Sequence, residues 1–261
     1  MIEQIVLGTV QGIAEWLPIS SEGAIFLVSS NFFGEQDVAE LLRQALFLHL
    51  GTFLATLVYF WKDVVKVFQT LIGYKSAVPG QKNQLKFLVI ATLISGGIGL
   101  VVLTFITSTD FTATAKAVNV VIGISLLVTA FLQIRAGQGG LRLLDHINNS
   151  DSVLLGIAQG MATLPGLSRS GLTISALLLR KVNDELALKL SFLLSLPIVL
   201  AGNIALNFKE FAFQAEMLIG LLFSFGFGLI TIHVLLKLAR KINFGYFVLV
   251  FAVLVLAATF I

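Results

Sequence analysis

The sequence predicts an all-α, polytopic membrane protein with inverted-topology repeats, made of six spanning helices and two re-entrant helical hairpins. Three observations carry this. Of 261 residues, 57% are hydrophobic and only 12% charged, where a soluble domain carries about a quarter charged residues. The apolar runs are long and continuous, which excludes the alternating strands of a transmembrane barrel. Two of these apolar regions are broken in the middle by polar stretches, and the two breaks resemble each other.

A spanning helix needs about 20 apolar residues. Six stretches qualify: Leu41–Phe60, Phe87–Ile106, Ala117–Ile134, Leu186–Leu206, Met217–Leu236 and Phe244–Ile261. Two regions do not fit. Ile2–Phe33 is interrupted by Pro18-Ile19-Ser20-Ser21-Glu22-Gly23, and Ser152–Leu179 by Pro165-Gly166-Leu167-Ser168-Arg169-Ser170-Gly171. The arms after the breaks, Ala24–Phe33 and Leu172–Leu179, reach only about half the hydrocarbon thickness at a rise of about 1.5 Å per residue. Each region therefore reads as a hairpin that enters to the midplane, turns and returns.

The two hairpins align at a constant offset. Gly8, Gln11, Gly12, Ala14, Ser20 and Gly23 match Gly156, Gln159, Gly160, Ala162, Ser168 and Gly171, and Glu40 through Phe47 resembles Glu185 through Phe192. The chain is read as one transmembrane domain of two units, residues 1–135 and 150–261. A hairpin returns to its own side and three spans cross, so the second unit starts on the opposite face. The repeats are then inverted, with both tips near the midplane, as in many secondary transporters.

Charge supports that topology. One face collects thirteen Lys and Arg residues, from Lys62 and Lys66 through Arg142, Arg180 and Lys181 to Lys237, Arg240 and Lys241. The other collects Glu3, Glu35, Asp37, Glu40, Asp110, Glu210 and Glu216 against Arg43, Lys116 and Lys209. The positive-inside rule places the first face in the cytoplasm and both termini outside. The net charge of +3 is then a matter of topology, and no nucleic-acid partner is expected. The absence of cysteine excludes disulfides and thiolate chemistry. Glu3 stands where a signal peptide would carry its basic residues, so no cleavable signal is expected.

The chemistry gathers at the two breaks. Gln11 and Glu15 lie at i, i+4 on one face of the first arm, which Pro18 ends. Ser20 and Ser21 fall where the return arm needs an N-cap, and Gly23 allows close backbone approach. A helix N-terminus at the midplane favours an anion. The second break repeats the plan with Ser168, Arg169 and Ser170, and Thr173 one turn on. Arg offers a planar fork matched to phosphate. Ser20, Gly23, Ser168, Ser170, Thr173 and Gln11 are the expected phosphate-binding set, and a phosphate or diphosphate suits it. Glu15 and Glu22 would hold a divalent cation, Mg²⁺ or Ca²⁺, or one of them would serve as acid or base; a structural Glu15–Arg169 ion pair is the third role open to Glu15. Ser21 is a nucleophile or a phosphate ligand, with Glu15 the nearest base. His49, mid-span, is either a packing residue bonded to a neighbouring helix or an acid/base group facing the site. His146 and His233 read as loop and helix-end residues, and Gln159 as a link between helices.

"QGIAEWLPISSEG" and "LPGLSRSGLT" resemble the two signature motifs of the undecaprenyl-diphosphate phosphatase, or bacitracin-resistance, family, and Ser191–Pro197 resembles a third family segment. The likeness covers essentially the whole chain. It implies hydrolysis of undecaprenyl diphosphate to the monophosphate, which recycles the lipid carrier of cell-wall synthesis, together with a divalent cation and a multi-pass protein of the cell membrane. It places Glu15, Ser21 and Arg169 at the centre of catalysis. The chain departs from the family at Ala24, where His follows the motif glycine, at Glu22, where a small hydroxyl residue is common, and at His49, where Gln is expected. Glu22 and His49 are the residues able to compensate as acid or base. The expected partners are a polyprenyl diphosphate and membrane lipid, with room for a homodimer. The alternative function is a transporter or flippase of polyprenyl phosphate or another anionic lipid on the same fold.

Overall fold

In the computed structural model the described residues are mostly helical. The structure describes residues 1–34, 38–108, 115–137, 140–164, 166–207, 215–239, 241 and 243–259. Pro165 of the second break lies outside them, as do Glu35, Asp37, Asp110, Lys209, Glu210 and Arg240 of the charge pattern. Among the described residues there are eleven α-helices: α1 (Ile2–Ala14), α2 (Ser21–Phe32), α3 (Val38–Tyr59), α4 (Trp61–Ile72), α5 (Pro79–Ser108), α6 (Ala115–Ala136), α7 (Asn149–Met161), α8 (Arg169–Leu179), α9 (Asp184–Asn207), α10 (Met217–Leu238) and α11 (Phe244–Ala258).

Five of them are long and apolar enough to cross a membrane: α3, α5, α6, α9 and α10. The expected sixth span, Phe244–Ile261, has 15 described helical residues in α11, about 22 Å at 1.5 Å per residue, and falls short by length. The two interrupted regions are helix pairs, α1–α2 and α7–α8. Each has arms of 11 to 13 residues, too short to cross individually.

Two segments were not expected from hydropathy. Residues 61–72, between the first two spans, form α4, an amphipathic helix that sets Val64 into the core and leaves Trp61, Phe68, Leu71 and Ile72 exposed. The second span starts eight residues early, at Pro79. Proline suits a first helical position, because its fixed φ is helical and the N–H it lacks would have no intrahelical partner.

Small residues set the closest packing. On α1, a Cβ added at Gly8 would collide with the Gly220 carbonyl of α10, and one at Gly12 would lie 2.8 Å from both Phe227 Cβ and the Ser224 carbonyl. On α7, the matching Gly156 and Gly160 would meet Ile94 Cβ at 2.8 Å and Ile98 Cβ at 2.6 Å on α5. The first arm of each hairpin is thus seated against a long helix by the same pair of glycines. Without a hydrophobic drive between helices in lipid, such backbone proximity is what allows dispersion to hold them. Gln159 adds a hydrogen bond across the second seam, from Nε2 to Ser95 Oγ of α5 at 3.2 Å.

The mouth of the second hairpin is clamped by ions. Asp151, 1% exposed in the first turn of α7, accepts two hydrogen bonds from Arg142, at 3.1 and 2.6 Å, and one from Arg180 Nε at 2.7 Å. It also completes a capping box with Asn148. Arg180 caps the C-terminus of α8, so one carboxylate joins the start of α7 to the end of α8. Burial pushes the Asp151 carboxyl up, but hydrogen bonds from Arg142 and Arg180 outweigh it and hold the group below the usual carboxylate range. A depressed folded value stabilises the fold above the unfolded value of about 3.9. That contribution is lost as pH falls through the folded value. Asp151→Asn should therefore lower unfolding stability at neutral pH by about 1–3 kcal/mol, below the figure for a fully buried pair because both arginines are partly exposed. Denaturant melts at pH 7 and pH 3 would check it: the difference between wild type and variant should shrink at the lower pH.

Candidate active site

The tips of the two helix pairs meet. Pro18 ends the first arm, and α2 starts with Ser20 as N-cap, at φ −67° and ψ 115°, its side chain accepting from Gly23 N at 3.2 Å. The second tip repeats this with Ser168 at φ −74° and ψ 115°, accepting from Gly171 N at 3.1 Å. Two first turns, with amides that helix geometry leaves without intrahelical partners, therefore converge. Ser170 Oγ donates across to the Leu17 carbonyl at 2.7 Å and stitches the tips together. Ile122 of α6 stands against both: a Cβ on Gly23 would lie 3.1 Å from Ile122 Cγ2, and one on Gly166, at φ +85°, would lie 2.8 Å from Ile122 Cα.

Glu15 is the hub. Its Oε2 accepts from Ser21 Oγ at 2.8 Å and Gln11 Nε2 at 2.9 Å, and lies 2.9 Å from His49 Nε2. Its Oε1 accepts from Arg169 Nη2. Glu15, Gln11, Ser21 and His49 are all buried. Of the charged groups here, Arg169 and Glu22 keep partial exposure. Arg169 also reaches the Ser191 carbonyl at 3.4 Å, and its guanidinium lies 5.7 Å from the centre of the Trp16 ring. Trp16 packs edge-on to Phe192 at 4.7 Å.

The structure thus brings Gln11, Glu15, Ser21, His49 and Arg169 to one point. His49, from α3, lies beside Glu15 at this point. The remaining hydroxyls stand around that point in structural bonds: Ser20 and Ser168 as caps, Ser170 on Leu17, and Thr173 Oγ1 2.6 Å from Ser191 Oγ while donating to the Arg169 carbonyl at 2.8 Å. Glu22 accepts from Ser20 Oγ at 3.3 Å. Ala24 packs away from the centre, in the apolar cluster with Ile122 and Leu126. His146 lies in the loop before α7, and His233 Nδ1 sits 3.0 Å from the Tyr59 hydroxyl at a helix end.

Trp16, Ser191 and Ile122 were not among the expected site residues. Trp16 could have been found from its place beside Glu15, and Ser191 from its place in the third family-like segment. Nothing in the sequence pointed to Ile122, whose role is one of shape.

A divalent cation fits Glu22 better than Glu15. Both Glu15 oxygens are occupied by donors, and the Arg169 guanidinium among them repels a metal ion. Glu22, partly exposed, accepts one side-chain hydrogen bond, from Ser20, and keeps spare acceptor capacity. Among the described residues no group of three His, Asp or Glu side chains forms a ready-made metal site, so further ligands would have to come from phosphate oxygens, as is common for Mg²⁺.

Residues 4–257 match the family described as bacitracin resistance protein BacA. The chain is similar to an undecaprenyl-diphosphatase of Methanococcoides burtonii, 41% identical over 99% of this chain and 98% of that one. It is also similar to those of Methanothrix thermoacetophila, 36% identical over 99% and 96%, and Thermodesulfovibrio yellowstonii, 32% identical over 95% and 92%. With five helices able to span a membrane, two pairs of short helices and a match over nearly its full length, this multi-pass membrane protein belongs to the bacitracin resistance protein BacA family.

Proposed function

We propose that the chain hydrolyses undecaprenyl diphosphate, or a related polyprenyl diphosphate, to the monophosphate and inorganic phosphate. The observation that carries this is the 2.8 Å hydrogen bond from Ser21 Oγ to Glu15 Oε2 beside the Arg169 guanidinium. A hydroxyl nucleophile needs an adjacent acceptor for its proton, and phosphoryl transfer needs fixed positive charge around the transferring group. Both stand at one point between two helix N-termini.

Ser21 Oγ attacks the terminal phosphorus as Glu15 accepts the hydroxyl proton. The bridging P–O bond breaks, polyprenyl monophosphate leaves and carries the proton off from Glu15, and a phosphoseryl group remains. Water, losing a proton to the regenerated Glu15 carboxylate, then attacks this phosphorus; the Ser21 Oγ–P bond breaks, Glu15 returns the proton to Ser21 Oγ, and phosphate is released. Arg169 turns its fork to the phosphoryl oxygens, the free amides of the first turns of α2 and α8 add partial positive charge, and the lipid tail stays in the bilayer. Glu22, with the diphosphate itself, would hold the divalent cation, which supplies further neutralisation of phosphate charge. The names borne by the relatives favour hydrolysis over translocation.

The same proposal includes the membrane arrangement. Matching caps at Ser20 and Ser168 and matching glycine seams on α1 and α7 support two repeats inverted in the bilayer. In this arrangement α11 completes a sixth span, both hairpins are re-entrant, the lysine-rich face is cytoplasmic, and the termini lie outside.

The test is phosphate release by purified protein given undecaprenyl diphosphate with Mg²⁺ or Ca²⁺. Release at several turnovers per minute or faster, abolished by chelation, is expected. No release above a heat-denatured control would remove the hydrolase assignment, and lipid movement across vesicles without release would replace it with translocation.

A further inference from the structure

We infer that His49 is a positioning residue for the proposed reaction, an imidazolium anchored by Nδ1 to the Ala45 carbonyl that holds Glu15 in place beneath Ser21 through Nε2. The inference rests on the assignment of Ser21 and Glu15 above.

The geometry around the ring leaves little choice of proton count. Nδ1 lies 2.6 Å from the Ala45 carbonyl oxygen, and Nε2 lies 2.9 Å from Glu15 Oε2. A main-chain carbonyl and a carboxylate oxygen are both acceptors with no proton to give. A neutral imidazole has one bare nitrogen, and in this position its lone pair would press against one of those oxygens. With a proton on each nitrogen, both contacts become hydrogen bonds. The ring is 7% exposed, so water cannot take the place of either partner.

Among the charged groups near His49, Glu15, from the end of α1, favours that state; Glu22, in the first turn of α2, would have its charge met by the divalent cation it would hold. Arg169, from α8, opposes the charged ring but is itself engaged by Glu15 Oε1. From α10 comes Ser224, which is neutral and donates to the Leu48 carbonyl at 2.8 Å. The charged residues of α9, Asp184, Glu185 and Lys189, all lie in its first two turns, with Lys189 paired to Asp63 of α4 at 2.7 Å. His49 is therefore the second of two cations that flank one carboxylate, one on each oxygen.

The consequence falls on Ser21. Its hydroxyl donates to the same Oε2 that His49 holds. Arg169 grips Oε1, and Gln11, one turn back on α1, reaches Oε2 from the same stretch of chain and moves with it. His49, anchored to its own helix through Ala45, ties Oε2 to a second element and fixes the acceptor under the nucleophile. Displacement of a reacting group by about 1 Å can lower a rate by about 10²-fold. His49 never touches the phosphoryl group in this scheme; it acts through Glu15, from a helix outside both hairpins.

Two measurements on the full chain in detergent test this. His146→Gln and His233→Gln, both remote from the site, leave one histidine for ¹⁵N labelling. Both ring nitrogens of His49 should give protonated signals at pH 7.5. One protonated and one bare nitrogen would overturn the imidazolium assignment and leave the phosphatase assignment intact, since release by the same sample is measured separately. In kinetics, His49→Ala should lower kcat by about 10²-fold with KM changed less than about threefold. His49→Gln, which keeps an N–H donor toward Glu15, should recover at least about tenfold of that loss. Unchanged kcat in His49→Ala, or a folded His49→Gln no better than Ala, would overturn the positioning role. Should His49→Ala fail to fold, His49→Gln against wild type and the ¹⁵N signals decide alone.

Discussion

Ser21→Ala is expected to lower phosphate release by a factor on the order of 10⁴ or more while leaving KM and thermal stability close to wild type. The size of the loss follows from the kind of group removed: a covalent nucleophile has no substitute within reach, and groups acting as one unit fail together. Stability should hold because Ser20, not Ser21, caps α2. Ser21 is the first residue of the helix, where alanine is accommodated at small cost. Its hydroxyl contributes one hydrogen bond among those that reach Glu15, so Glu15 remains satisfied without it. The expected intermediate gives a second observable. Rapid quenching of wild type with terminally ³²P-labelled substrate should trap phosphate on the protein, and Ser21→Ala should trap none. A residual activity within about 10²-fold of wild type, with no trapped phosphate in either protein, would mean that Ser21 orients an attacking water instead.

Arg169→Ala is expected to lower kcat/KM by about 10³-fold and also to destabilise the fold. The two losses have different causes. In the reaction, the guanidinium is the only full positive charge on the second tip, and removal of a single preorganised donor to developing charge costs about 10²- to 10³-fold. In the fold, its departure leaves Glu15 buried with His49 as its remaining cation, and Trp16 loses the guanidinium beside its ring. Breaking a buried pair from one side costs about 3–5 kcal/mol. Because Arg169 keeps 17% of its side-chain area exposed and Glu15 keeps three other donors, about 2 kcal/mol is the expected loss. Arg169→Lys should recover stability more than rate, since an ammonium replaces the charge but not the planar fork. A double-mutant cycle with Glu15→Gln separates the contributions: coupling above about 1 kcal/mol in unfolding shows that the pair supports the fold. Full activity in Arg169→Ala would remove Arg169 from the proposed chemistry.

The elements that were legible in the sequence share one property, which is that their cause is local. The two interrupted helix pairs follow from Pro18 and from apolar arms too short to cross. The caps at Ser20 and Ser168 follow from hydroxyls placed just before an apolar helix. The i, i+4 spacing of Gln11 and Glu15 already puts both on one face, and they are hydrogen-bonded at 2.9 Å. Even the long-range likeness of the two breaks is carried by runs of adjacent residues. Helix α4 is not legible as a spanning run, because it is too polar for a span and too apolar on one face for a loop. The sixth apolar run was sequence-legible as composition, but its helix, with 15 described residues, is shorter than its hydropathy suggested. The Asp151 clamp is not legible, because its two arginines, at 142 and 180, are remote in sequence and are indistinguishable there from the other charges of the lysine-rich face.

The sequence by itself determined that this is a helical membrane protein, where its polar breaks fall, and which polar and charged residues gather at them. Periodicity, helix-breaking residues and capping preferences act within a few positions of each other, so a single strand of text contains them. The tertiary structure alone decided that Glu15 faces Arg169 and His49 at once, that Ile122 packs against both tips, and that Ala24 turns into an apolar cluster while an imidazole arrives from α3. Those outcomes depend on how close α1 can approach α10, and α7 can approach α5, across glycine seams. A contact between residues 15 and 169 is set by packing distances summed over several helices, and no local preference encodes that sum.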